Sequence, residues 1–161
     1  MSEPIQKPGR SKQDYGTPWP FIDAVVERFG PLAWDLAADS DNTKAAQHFD
    51  IEQDSLKQNW TALQGNLWLN PPFGDIGPWA RKCAETRTGP GEGRRIFLLT
   101  PASIGSCWFA EHVHGKALVL GLSPRLSFDG KNSYPKDLML SVYGRPPGFD
   151  VWRWDAKEQA A

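Results

Sequence analysis

The chain has 161 residues, 40% of them hydrophobic and 23% charged, with a formal net charge of −1. That length holds one domain with a real core, and the composition is that of an ordinary globular protein. The near-neutral balance excludes a polycation that grips nucleic acid indiscriminately, and no apolar run approaches a membrane span or a signal-peptide core.

Residues 1–14 carry Lys7, Arg10 and Lys12 among Pro, Gly and Ser and read as a disordered basic arm, either brushing phosphates or inert. One domain is expected over 15–155, with a tail over 156–161. Thr17-Pro18 opens a helix, with Thr as cap and Pro at the first position. Phe21, Ile22, Val25, Val26 and Phe29 follow at near-helical spacing, and Gly30-Pro31 ends it. Leu32 to Leu36 predicts a strand that stops at Asp35. Residues 39–60 are polar and mixed, with two short helical pieces expected, the last ending near Trp60. A buried strand over 66–70 contains Leu67-Trp68-Leu69, and a helix over 78–87 comes next.

Thr88 to Gly93 is a Gly/Pro-rich loop flanked by Arg87, Arg94 and Arg95. Further strands are expected over 95–99, 116–120, 138–143 and, at an edge, 149–154, with a helix over 104–113 and an irregular basic loop over 122–137. Strands alternating with helices predict an α/β fold with a parallel sheet and helices on both faces. Cys83 and Cys107 match no CxxC pattern and read as free, buried thiols in a reducing cytoplasm. Most of the eight tryptophans read as packing residues. His112 and His114 lack partners at ligand spacing, so no metal is expected.

Asn70-Pro71-Pro72-Phe73, at the C-terminal end of the 66–70 strand, carries the chemistry. In an open α/β sheet, ligands sit beyond the carboxyl ends of strands. The tetrapeptide suits methyl transfer to a planar exocyclic nitrogen such as adenine N6, whose lone pair is delocalised into the ring. Two carbonyl acceptors on its two hydrogens favour a pyramidal nitrogen and stabilise the charge that develops on it. The Asn70 side-chain oxygen and the Pro71 carbonyl are the candidate acceptors. Pro71 and Pro72 stiffen the turn, and Phe73 offers a flat face to a base rotated out of its stack. An ordinary proline turn with a packing aromatic is the competing reading.

Further elements stand in one order: Thr17-Pro18, Trp34-Asp35-Leu36-Ala37-Ala38-Asp39, Asp54-Ser55-Leu56 and Leu69 to Phe73. Leu98 to Ser103, Trp108-Phe109 and Gly121 to Phe128 complete the set. This pattern resembles the small phage-type DNA N6-adenine methyltransferases, a Dam-like family that uses S-adenosylmethionine. The likeness runs from about Tyr15 to Tyr143. It implies the class I methyltransferase (Rossmann-like) fold, mostly parallel with an antiparallel hairpin at one edge.

The likeness also implies cofactor contacts from Thr17, Pro18, Asp35, Ala37, Ala38 and Asp54. Asp35 stands where an acid would face the cofactor's ammonium, Ala37 and Ala38 allow close approach, and Asp54 would accept from its adenine amino group. Helix capping is the alternative for Thr17, Asp35, Asp39 and Asp54. The glycine-rich signature of many methyltransferases is missing after the first strand, where alanines stand instead.

The expected activity is therefore methylation of adenine N6 in double-stranded DNA, with RNA adenine, protein glutamine or a non-catalytic binding remnant as alternatives. With no room for a separate recognition domain, loops are expected to select the site. Ser123 to Lys136 is the candidate loop, with Arg125 and Asn132 for base edges and Lys131 and Lys136 for phosphates. The alternative is a solvated loop in which Arg125 pairs with Asp129 or Asp137. No membrane and no obligate protein partner are expected, and the location is the bacterial host cytoplasm if the chain is phage-encoded.

Overall fold

The computed structural model describes residues 16–86, 88 and 94–156. Residues 1–15 (which include the basic arm), Arg87, residues 89–93 of the Gly/Pro-rich loop and residues 157–161 fall outside them. The first helix, α1, spans Trp19–Phe29 and buries Phe21, Ile22, Val25 and Phe29 on one stripe. Gly30, at φ 106°, stops it, its N–H bonding to Val26 O. The strands are β1 (Leu32–Asp35), β2 (Gln47–His48), β3 (Asn66–Leu69), β4 (Ile96–Pro101), β5 (Ala117–Ser123), β6 (Leu138–Tyr143) and β7 (Gly148–Arg153). Helices α2 (Gly77–Glu85) and α3 (Cys107–His112) lie among them.

The seven strands form one sheet in the order β2-β1-β3-β4-β6-β5-β7. β2, β1, β3 and β4 pair in parallel, as do β5 and β7, whereas β6 runs antiparallel to both β4 and β5. The antiparallel strand thus lies inside the sheet, and parallel β7 forms the edge where a hairpin was expected. Side-chain alternation along each strand separates two cores. Leu67, Leu69, Ile96 and Leu98 cluster with Ala80 and Cys83 of α2 and Phe109 of α3. Trp68, Phe97 and Leu99 cluster with the α1 stripe, Leu120, Leu140 and Trp152. Apolar residues on both sides explain why these central strands read as continuous hydrophobic runs.

Several predicted boundaries move, each for a tertiary reason. β4 continues to Pro101 because Leu138 pairs opposite it, and β5 runs on to Ser123 because β7 supplies partners as far as Arg153. α3 begins only at Cys107, where the Ser106 hydroxyl accepts from Phe109 N–H at 3.3 Å. The two short helical pieces expected near the end of the 39–60 segment are single-turn 3₁₀ helices, Ser55–Lys57 and Trp60–Ala62, and the segment also forms β2, which was not expected. Cys83 is buried and Cys107 exposed, and both are free; the expectation of two buried thiols fails for Cys107 because it opens α3 on its outer side. Among the described residues, no helix is long and apolar enough to cross a membrane.

Candidate active site

The parallel register places Asp35 opposite Trp68, and Leu36 N–H bonds to Trp68 O at 2.8 Å. The C-terminal ends of β1 and β3 therefore open side by side, with Asp35 on one and Asn70 just beyond the other. Between them lies a cleft of about 370 Å³, including its open mouth. It is lined by Gly16, Thr17, Asp35, Ala37, Asn42, Lys44, Trp68, Asn70 and Pro72.

Asp35 is 3% exposed. Its Oδ1 accepts from Ala37 N–H at 3.3 Å and its Oδ2 from Lys44 N–H at 2.9 Å. Burial pushes its pKa up to about 6, and the two backbone donors, together with the charges of Lys44 and His48, pull partly the other way. The carboxylate thus organises the 35–44 loop around itself. Burial lowers the pKa of Lys44, and the Asp35 charge opposes that shift.

Asn70 donates its side-chain amide to Thr17 Oγ1 at 3.0 Å. That bond uses the NH₂ end of the amide and leaves the carbonyl oxygen at its other end as an acceptor. Thr17 is 2% exposed and does not cap α1; Pro18 is the N-cap, no side chain caps the helix, and the Pro18 carbonyl accepts from Phe21 and Ile22. The expected cap is thus a side-chain bond across 53 residues of sequence. Pro71 is buried and Pro72 lines the cleft. Phe73, half-buried, packs against both cores and meets the rings of Phe128 and Tyr134 edge-on at 6.4 and 6.0 Å. The 123–137 loop therefore reaches the proline turn through aromatic contacts.

The remaining expected residues lie around this centre or apart from it. Ala38 is buried and donates its N–H to Phe49 O at 3.1 Å. Asp54, exposed and in the left-handed region at φ 53°, precedes the Ser55 turn and lies 3.6 Å from Lys57 Nζ. It is not among the residues lining the cleft. In the late loop, Arg125 donates to Asp137 Oδ1 at 3.0 Å, and Asp129 Oδ1 accepts from the backbones of Lys131 and Asn132 at 2.8 and 2.9 Å. The side chains of Lys131, Asn132 and Lys136 face solvent.

Gly16, Asn42, Lys44 and Trp68 also line the cleft, and none was singled out from the sequence. Lys44 follows Asp35 by nine residues in a mixed polar stretch, and a lone lysine there has no motif to announce it.

Two comparisons bear on this geometry. A family model described as "DNA N-6-adenine-methyltransferase (Dam)" matches residues 6–137. The Escherichia coli (strain K12) protein named "Putative methyltransferase YfdM" is 31% identical over 81 residues, which are 45% of this chain and 85% of that protein.

Proposed function

The chain belongs to the DNA N-6-adenine-methyltransferase (Dam) family, and from that premise we propose that it methylates adenine N6 in double-stranded DNA with S-adenosylmethionine. The observation that carries this reading is the Asn70–Thr17 bond beside a buried carboxylate in one cleft. A spare amide oxygen and an acid facing the same space are what an amino-group acceptor and an ammonium-bearing cofactor need.

The donor set fits that cofactor. Asp35 is the buried anion for the cofactor's ammonium, and Ala37, small and on the cleft wall, leaves room beside it. When bound, the cofactor supplies an electrophilic methyl group on a sulfonium. In this reading Thr17, Pro18 and Ala38 shape the same end, and Asp54 serves the cofactor's adenine amino group. Asn70 Oδ1 and the Pro71 carbonyl hold the target amino hydrogens, stabilising the positive charge that grows on N6. The target adenine is rotated out of the duplex, with Phe73 against its face. The sheet order, with one internal antiparallel strand, and the separate cores under α1 and under α2 and α3 support a class I, Rossmann-like arrangement with helices on both faces. Arg125, Lys131, Asn132 and Lys136 lie on the loop that joins this turn to the DNA.

Incubation with methyl-labelled S-adenosylmethionine and, separately, duplex DNA, RNA or protein tests the reading. N6-methyladenine in the duplex is the expected product. Label in RNA or in a glutamine amide would replace the DNA assignment, and no label in any of them would replace methyl transfer with binding alone.

A further inference from the structure

Lys44 brings a cation to the cleft wall that no carboxylate pairs with at salt-bridge distance among the described residues. Its backbone N–H is committed to Asp35 Oδ2 at 2.9 Å, so one residue both fixes that acid and extends a cation into the cleft. The ammonium lies 4.3 Å from the centroid of the Trp19 ring, which covers one of its faces. No carboxylate stands within 4.0 Å of it among the described residues. A Cβ added at Gly16 would come to 3.3 Å from Nζ, so the bare glycine gives the ammonium its room. A half-buried cation in a cleft wall without an anion within ion-pair distance has lost part of its hydration and gained only a ring face in return.

The cleft therefore carries one fixed negative group and one positive group on the same short loop. That pattern is complementary to an α-amino acid zwitterion: ammonium to Asp35, carboxylate to Lys44. We propose that Lys44, backed by Trp19 and accommodated by Gly16, binds the α-carboxylate of the cofactor's methionine end and so makes the site selective for ligands that retain it. The proposal rests on the assignment of the cleft to S-adenosylmethionine. The geometry favours an amino-acid zwitterion over a DNA phosphate, because a zwitterion brings an ammonium to offset Asp35 beside Lys44, whereas a backbone phosphate meets that negative charge uncompensated.

Calorimetric titration of the whole protein with S-adenosylmethionine and with its decarboxylated analogue tests this. The wild type is expected to bind the analogue about tenfold to a hundredfold more weakly, the loss of one charge-assisted hydrogen bond. Lys44→Met should weaken S-adenosylmethionine by the same factor and leave the analogue unchanged, and Lys44→Arg should restore most of the discrimination. Equal binding of both ligands by the wild type overturns the proposal without recourse to any variant. So does a Lys44→Met protein that loses both ligands alike, since the lysine would then only support the loop. A wild type that binds neither ligand removes the cofactor assignment itself, a result distinct from binding both equally.

Discussion

The cleft at the ends of β1 and β3 and the loop over 123–137 are built in opposite ways. In the cleft, Asp35 and Thr17 are almost wholly buried, and each makes a side-chain hydrogen bond to a group distant in sequence or to a backbone N–H. In the loop, side-chain bonds lie at the surface: Asp129 ties down the backbones of Lys131 and Asn132, and Arg125 is held by exposed Asp137. Groups that must meet a reacting nitrogen or a fixed charge are set in place before the ligand arrives, at the cost of burying polar atoms. Groups that meet a flexible polyanion keep their hydration and their rotamer freedom until contact. Between the two regions stands Phe73, whose ring meets Phe128 and Tyr134 of the loop.

The largest expected effect separates them most sharply. Asn70→Ala should lower single-turnover methylation by roughly 10²–10³, the loss of one preorganised acceptor, while cofactor affinity stays near wild type. Turnover within a few-fold of wild type would take the acceptor role from Asn70.

Next in size is the pH dependence imposed by Asp35. Its folded-state pKa of about 6 lies above the ordinary 3.8, so the folded protein holds this proton more tightly than the unfolded chain. The sign follows: this group favours the folded state below about pH 4, and stability falls by about 3 kcal/mol as pH rises from about 4 to 6. Cofactor binding runs the other way, because an ammonium prefers the ionised acid. Affinity should rise about tenfold between pH 5 and pH 7, and Asp35→Asn should abolish that slope. A calorimetric series with the same slope in both proteins would place the titrating group elsewhere.

Thr17→Val tests whether the cleft depends on its long-range bond. Loss of the acceptor frees the Asn70 amide to rotate, and turnover should fall by about threefold to tenfold with the fold retained. Unchanged turnover would make the Thr17 bond incidental to catalysis.

The loop should respond differently. Lys131→Ala and Lys136→Ala are each expected to reduce the slope of log affinity for duplex DNA against log salt by about one, without moving turnover at saturating DNA. Slopes matching wild type in both would move the phosphate contacts away from this loop. The smallest effect is on stability: Arg125→Ala removes an exposed pair with Asp137 and should cost less than about 1 kcal/mol by denaturant titration. A larger loss would show that Arg125 is a structural residue, and mapping of methylated sites would then be expected to show no relaxation of sequence choice.

Local patterns reveal much of this molecule before it folds. The helix under Phe21 to Phe29 follows from 3.6-residue spacing closed by Gly-Pro, and the strand under Leu67 to Leu69 from an apolar run closed by prolines. Asn70 to Phe73 stands out because few other pressures assemble an amide, two prolines and an aromatic at a strand end. For Thr17 the cap reading fails, since a cap is inferred from neighbours in sequence and the bond that Thr17 makes, to Asn70, is not local. Lys44 was silent, because a cation acquires meaning only from what faces it. Asp54 and Asp35 both read as cofactor acids or helix caps, yet one is exposed in a left-handed turn beside Lys57 and the other is buried at the end of β1, on the wall of the cleft.

By itself, the sequence determined the existence and order of α1, α2, α3 and of every strand except β2, and that an amide and two prolines follow β3. It did so because periodicity, helix stops and turn chemistry act over a few residues and need no distant partner. The tertiary structure decided that β6 enters the sheet antiparallel between β4 and β5, how far β4 and β5 extend, and which side chains share the cleft. Those outcomes depend on the register between strands far apart in the chain, on burial, which raises the pKa of Asp35, and on the path of the 35–44 loop, which brings Lys44 into the same cleft.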